Sequence, residues 1–196
     1  MRTPKHYSLE LKWSGATLLP LSGLSALSFH KKYFDICQSE IATGAEVGDQ
    51  PGAQRRYIES PSFLDATYRF LKFTKTNHIL SQYFKSQKLK INYIRARNPI
   101  RFEGKQKFHR DDSIFKSRMS SIECFVFMSD VSALSGGVEY AQNTMNGRLS
   151  VSPKNLKRQT ANKGDLLLIK SQILHRGTTR FSDRCRWILS FQIDNC

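Results

Sequence analysis

The chain has 196 residues, enough for one domain with its own apolar core. Lys and Arg number 31 against 16 Asp and Glu, a formal net charge of +15, and 39% of residues are hydrophobic. The four cysteines, Cys37, Cys124, Cys185 and Cys196, form no CxxC pair, which argues against a zinc ribbon and a secreted disulfide scaffold.

No stretch approaches a membrane span, and no run behind Met1 has the length of a signal peptide, so the expected setting is cytoplasmic. The positive charge draws anions: nucleic acid, acidic membranes or phosphorylated small molecules. The bases concentrate in Lys85–Arg118, in Lys154–Lys163 and around Arg176–Arg186. No zinc finger, RNP-like or glycine-rich phosphate loop accompanies them, so a nucleic-acid partner is allowed by charge but not favoured.

Ala16–Leu21 suits a short strand, and Leu24–Ser39 a helix carrying Leu24, Leu27, Phe29, Phe34 and Ile36. Ala42–Gln54, with Pro51-Gly52, has the composition of a flexible loop. Ser60-Pro61-Ser62 opens a second helix expected to run to about Ser86, with Phe63, Leu64, Thr67, Phe70, Leu71, Ile79, Leu80 and Phe84 on one face. From Lys88 the period changes to two: Leu89, Ile91, Tyr93 and Arg95 alternate. Further strands are expected at Lys107–Asp111, Ile122–Val131, Val138–Ala141, Asp165–Ile169 and Arg186–Ile193. Helices precede many short strands, which gives an α+β class with a mainly β core, a sandwich or barrel. A single domain over residues 1–196 follows, with a helical N-terminal part at 1–87 and a strand-built core at 88–196.

Within that core lie two islands, Phe108-His109-Arg110-Asp111-Asp112 and Gly164-Asp165-Leu166-Leu167-Leu168-Ile169 leading to His175. Residues two apart on a strand share a face, so His109 and Asp111 can hold one metal ion, while Asp112 falls on the other face and suits a turn or a ligand-orienting role. His175, delivered from a distant strand, completes two imidazoles and a carboxylate. That facial set leaves open positions and is the site of non-haem Fe(II) oxygenases. Of the other histidines, His78 lies in the second helix, and His6 and His30 have no acidic neighbour at ligand spacing.

The arrangement resembles the Fe(II)- and 2-oxoglutarate-dependent oxygenases, specifically the phytanoyl-CoA dioxygenase-like family, over Ile91 to Ile193. The resemblance rests on Phe108-His109-Arg110-Asp111, on Phe125-Val126-Phe127-Met128-Ser129-Asp130-Val131 leading to Gly136-Gly137, and on Gly164–Ile169 with Leu174-His175-Arg176-Gly177 and Ser182–Arg186. It implies a double-stranded β-helix, the jelly-roll or cupin-like arrangement, with helices packed outside. It also implies Fe(II) on His109, Asp111 and His175, with 2-oxoglutarate as cosubstrate. Arg186 matches the arginine that takes the cosubstrate's far carboxylate, a role suited to a guanidinium's bidentate bonds; Arg184, of the same strand parity, is its rival. Asn92, Tyr93 and Arg95 on one strand, and Phe125 and Phe127 on the next, are candidates for the pocket wall.

The chain departs from the family pattern at Ala141-Gln142-Asn143-Thr144, where a proline-glycine-serine-histidine segment is usual, and at Thr179, where the family has asparagine. A fatty acyl-CoA substrate is therefore not implied. The expectation is a hydroxylase releasing succinate and CO2 from a small-molecule substrate, for which the charge suits an anion. A nucleic-acid oxygenase and an inactive jelly-roll binding protein are the alternatives.

Overall fold

The computed structural model describes residues 2–21, 28–43, 45–46, 53–103, 106–111, 121–144, 151–184 and 186–195. Asp112, the start of the helix expected at Leu24, and much of the loop expected at 42–54 lie outside these. The described elements, in chain order, are α1 (Pro4–Ser14), β1 (Ala16–Leu19), α2 (Ser28–Thr43), β2 (Ala45–Glu46), β3 (Ala53–Tyr57), α3 (Pro61–Phe73), α4 (Thr76–Phe84) and β4 (Leu89–Pro99). They continue with β5 (Ile122–Phe127), β6 (Val138–Ala141), β7 (Leu156–Arg158), β8 (Leu166–Lys170), β9 (His175–Gly177) and β10 (Ile188–Asn195).

Two antiparallel sheets organise these strands. The larger has seven, ordered β1-β8-β5-β10-β4-β3-β2, and the smaller three, ordered β7-β6-β9. Alternation along each strand of the large sheet separates two cores. Ile94 and Ala96 of β4, with Leu189, Phe191 and Ile193 of β10, join residues of the helices, among them Tyr33, Phe63, Phe70 and Leu80, in one cluster. Phe125, Phe127, Leu167, Ile169 and Ile188 point the other way and pack with Val138 and Tyr140 of β6 in a second. The large sheet is thus covered by helices on one face and by the small sheet on the other.

Helix α1 was not expected, because its apolar residues show no helical period and only Ser8 and Leu11 are buried. It is set by local signals: Thr3 caps its start, proline occupies its first turn, and Gly15 ends it at φ 85°. The single helix expected from Ser60 to Ser86 is two. Thr74 bonds back to the Phe70 carbonyl at 2.8 Å and Lys75 turns to φ 59°, ending α3 before α4 begins. The apolar period continues across this break and so conceals it.

The N-terminal part is not purely helical, since β1, β2 and β3 all join the large sheet. Strand β3, Ala-Gln-Arg-Arg-Tyr, carries an arginine on each face, Arg55 toward the cavity and Arg56 toward α2 and Trp187, and escapes a hydrophobic count. No helix among the described residues is long and apolar enough to cross a membrane.

Candidate metal centre

The His109 segment is held to the edge of the small sheet by backbone bonds. The His109 amide donates to the His175 carbonyl and the His175 amide to the His109 carbonyl, both at 3.0 Å. The Asp111 amide donates to the Ser171 carbonyl at 3.1 Å, on the turn between β8 and β9. These bonds bring residues distant in sequence into register, with the two imidazole centroids 4.6 Å apart.

One ligand atom from each of His109, Asp111 and His175 lies within 4.8 Å of the others, a spacing that a single ion can bridge. His109 Nδ1 lies 3.0 Å from the Lys107 carbonyl, and His175 Nδ1 3.0 Å from the Ile173 carbonyl. Each carbonyl takes an N–H from its ring, which leaves both Nε2 lone pairs toward the carboxylate. His175 Nε2 stands 3.0 Å from Asp111 Oδ2, and His109 Nε2 3.9 Å from Oδ1. Two acceptors this close need a cation between them, either a proton or a metal. In the metal-free protein burial opposes charge on His175, but the hydrogen bond and charge of Asp111 prevail and raise its pKa. Burial likewise opposes charge on Asp111, yet His175 and Arg95 hold it down at about 2. His109 is lowered, first by burial and then by the charge of His175.

Around this group the inner face of the large sheet is polar. Arg95 reaches Asp111 Oδ1 at 3.8 Å, donates from Nε to Ser190 Oγ at 3.1 Å and lies over the Tyr93 ring. Tyr93 donates its hydroxyl to Glu123, whose carboxyl is buried and raised to about 7 by burial and by Asp111. A cavity beside the metal group is bordered by His109, His175, Phe125, Arg55, Arg97 and Gly177.

The other sequence candidates divide. Arg186 is buried, its amide donates to Asn98 Oδ1 at 3.1 Å, and none of its three guanidinium nitrogens has a hydrogen-bond partner among the described residues. Burial and then the charges of Arg97 and Arg180 lower it to about 9. Its rival Arg184 is exposed at the surface. Asn92 does not reach the site: it sits at the bulge where the β4–β10 register shifts, exposed and bonded to Asp194 and Gln192. Phe127 packs between the sheets away from the cavity, whereas the Phe125 ring lies 6.1 Å from that of His175. Sequence reasoning missed Arg55 and Arg97. The alternation Tyr93-x-Arg95-x-Arg97 contains the signal, since residues of one parity on a strand share a face.

The donor set fits a divalent metal, and the buried, unpartnered guanidinium of Arg186 fits a carboxylate. No family model matches the sequence, and a search of curated proteins finds no match. Comparison with solved structures does find similarity. The nogalamycin epimerase SnoN, in complex with Fe3+, alpha-ketoglutarate and nogalamycin RO, superposes with a TM-score of 0.77 at 12% identity, covering 98% of this chain and 83% of that one. The alpha-ketoglutarate-dependent carbocyclase SnoK of the same biosynthesis gives 0.75 at 10% identity, covering 97% and 83%. HygX from Streptomyces hygroscopicus, with nickel and 2-oxoglutarate bound, gives 0.73 at 14% identity, covering 99% and 87%. The chain has the fold of these non-haem enzymes.

Proposed function

We propose that the protein is an Fe(II)- and 2-oxoglutarate-dependent dioxygenase of the phytanoyl-CoA dioxygenase-like family that hydroxylates a small molecule, and that residues 1–196 act as one oxygenase domain. The observation that carries this reading is the joint presence of the His109–Asp111–His175 group and a buried arginine whose guanidinium has no hydrogen-bond partner among the described residues. The strand order, with β9 and the His109 segment facing β10 and β5, supports a double-stranded β-helix. Structures of similar fold contain Fe3+ or nickel with 2-oxoglutarate, together with bound nogalamycin RO or hygromycin B. Buried free Cys37 and Cys124 suit a reducing, cytoplasmic setting.

In this reading His109, Asp111 and His175 hold Fe(II) by Nε2, a carboxylate oxygen and Nε2. The backbone carbonyls of Lys107 and Ile173 fix the two rings in the ligating tautomer. Arg95 orients Asp111 through Oδ1, the oxygen that also faces His109. Arg186 neutralises the far carboxylate of 2-oxoglutarate, and Phe125 keeps water from one wall of the cavity. Iron and cosubstrate together supply an oxidant for a C–H bond: one atom of O2 enters the substrate as hydroxyl, the other enters succinate, and CO2 leaves.

The test is succinate release by the Fe(II)-loaded protein in a screen of anionic small molecules, with oxygen from 18O2 traced into the product. Stoichiometric succinate and an 18O-labelled alcohol are expected. Product lacking the label despite turnover replaces hydroxylation with another outcome, and no succinate with any substrate removes the enzymatic reading.

A further inference from the structure

We propose that Arg55 and Arg97 form a second anion subsite that takes a doubly charged oxyanion of the substrate, a phosphate monoester in chemical class. The inference rests on the oxygenase reading above for what the neighbouring metal does, and not for the existence of the subsite.

Arg55 of β3 and Arg97 of β4 are register partners. Like charges directly opposite on neighbouring strands destabilise a sheet unless something lies between them. Nothing acidic does so here, since neither residue makes an ion pair among the described residues, and the Nε of each is buried without a hydrogen-bond partner. The Arg97 guanidinium rests on Gly177 of β9 so closely that a Cβ there would come within 1.9 Å of Nη1. Gly177 is two residues beyond His175, which places this cation about 7 Å along the strand from a metal ligand. Both arginines border the cavity that His109 and His175 border.

The other arginines that border the cavity among the described residues, Arg95 and Arg176, are engaged. Arg95 meets Asp111 and Ser190, and Arg176 donates to Glu139 at 2.8 Å. Arg186 is assigned to the cosubstrate, whose other carboxylate goes to the metal. Among the described residues Arg55 and Arg97 stay without an ion-pair partner, with only the more distant charge of Asp111 acting on Arg55, a match for a dianion and an excess for one carboxylate. Their proximity is a burden in the free protein: burial first, then Arg55 and Arg95, lower Arg97 to about 10. A bound phosphate group would remove that burden and hold the substrate at a fixed distance from the metal.

The experiment is a melting and calorimetric titration with inorganic phosphate under anaerobic conditions. It uses protein loaded with Ni(II) and saturating 2-oxoglutarate, with ionic strength held constant by chloride. Phosphate is expected to bind and raise the melting temperature equally with and without 2-oxoglutarate. Arg55→Gln is expected to bind it at least tenfold more weakly while melting higher than wild type when phosphate is left out. Arg97→Lys keeps the charge but loses the fork, and should weaken phosphate as well.

Phosphate displaced by 2-oxoglutarate would overturn the proposal and assign Arg97 to the cosubstrate alongside Arg186. Equal phosphate binding by wild type and Arg55→Gln would also overturn it, as general attraction to a basic surface. Failure of 2-oxoglutarate to bind the Ni(II) protein would count against the oxygenase reading alone, because the phosphate titration without it still reads the subsite.

Discussion

The two faces of the seven-stranded sheet are built from the same strands to opposite ends. On β4 and β10 the residues facing the helices are Ile94, Ala96, Leu189, Phe191 and Ile193, all buried in one apolar cluster. Their immediate neighbours in sequence, Tyr93, Arg95, Arg97 and Ser190, face the small sheet and the metal group. The helical face stabilises the fold by removing apolar surface from water. The opposite face gathers a carboxylate and two imidazoles, where Asp111 and His175 favour each other's charge, and several guanidiniums whose burial costs stability. A period-two chain can keep these duties apart, because one residue's shift in register exchanges every side chain between faces.

Substitutions on the two faces should therefore separate stability from binding. The largest effect is expected from Asp111→Ala, which removes the carboxylate between the two imidazoles: stoichiometric metal binding should be lost while circular dichroism stays native. Retention of a full equivalent of Fe(II) or Ni(II) by this variant would show that the metal sits elsewhere. Phe191→Ala on the helical face should do the reverse, costing about 3–5 kcal/mol in denaturant unfolding with metal affinity of the folded protein unchanged.

Arg186→Gln should come next. Losing one side of a buried charge pair costs about 2 kcal/mol or more, or roughly thirtyfold in 2-oxoglutarate affinity. Metal affinity should not change, and the exposed Arg184→Gln should leave both intact. A cosubstrate defect in Arg184→Gln instead would move the carboxylate site to the surface turn.

The smallest effect concerns Lys170, at the end of the inner strand β8, which burial lowers to about 8 from 10.5. Below pH 8 both folded and unfolded chains carry this proton, and the folded one bears the burial cost. Between pH 8 and 10.5 the unfolded chain binds more protons at this site, so its contribution to stability rises with pH. Lys170→Met should narrow its stability advantage over wild type as pH climbs through that window, measured by urea midpoints. A constant difference between the two proteins would show that Lys170 stays charged.

The sequence displayed the metal group better than the elements around it. His109-x-Asp111 announces itself because both residues must share a face, and His175 because it follows the fully apolar Leu166–Ile169 run. Arg186 was separable from Arg184 only by the family resemblance and the apolar run it begins; the burial of one and exposure of the other is a tertiary fact. Strand β3 was hidden because adjacent arginines, one on each face, break any apolar alternation, and the end of α3 because hydroxyls at Thr74 and Thr76 terminate a helix without interrupting its apolar stripe. What escaped reading is the polar lining of the cavity, since a charged side chain in a strand looks the same in sequence whether it meets water or a ligand.

The proposed function requires that His109, Asp111 and His175 hold one ferrous ion that 2-oxoglutarate chelates. Anaerobic addition of Fe(II) and then 2-oxoglutarate to the intact protein tests it, by following the weak visible metal-to-ligand absorption. A band is expected that saturates at one iron per chain, requires 2-oxoglutarate and disappears in Asp111→Ala. Iron that binds without any such band, or a band undiminished in that variant, would contradict it.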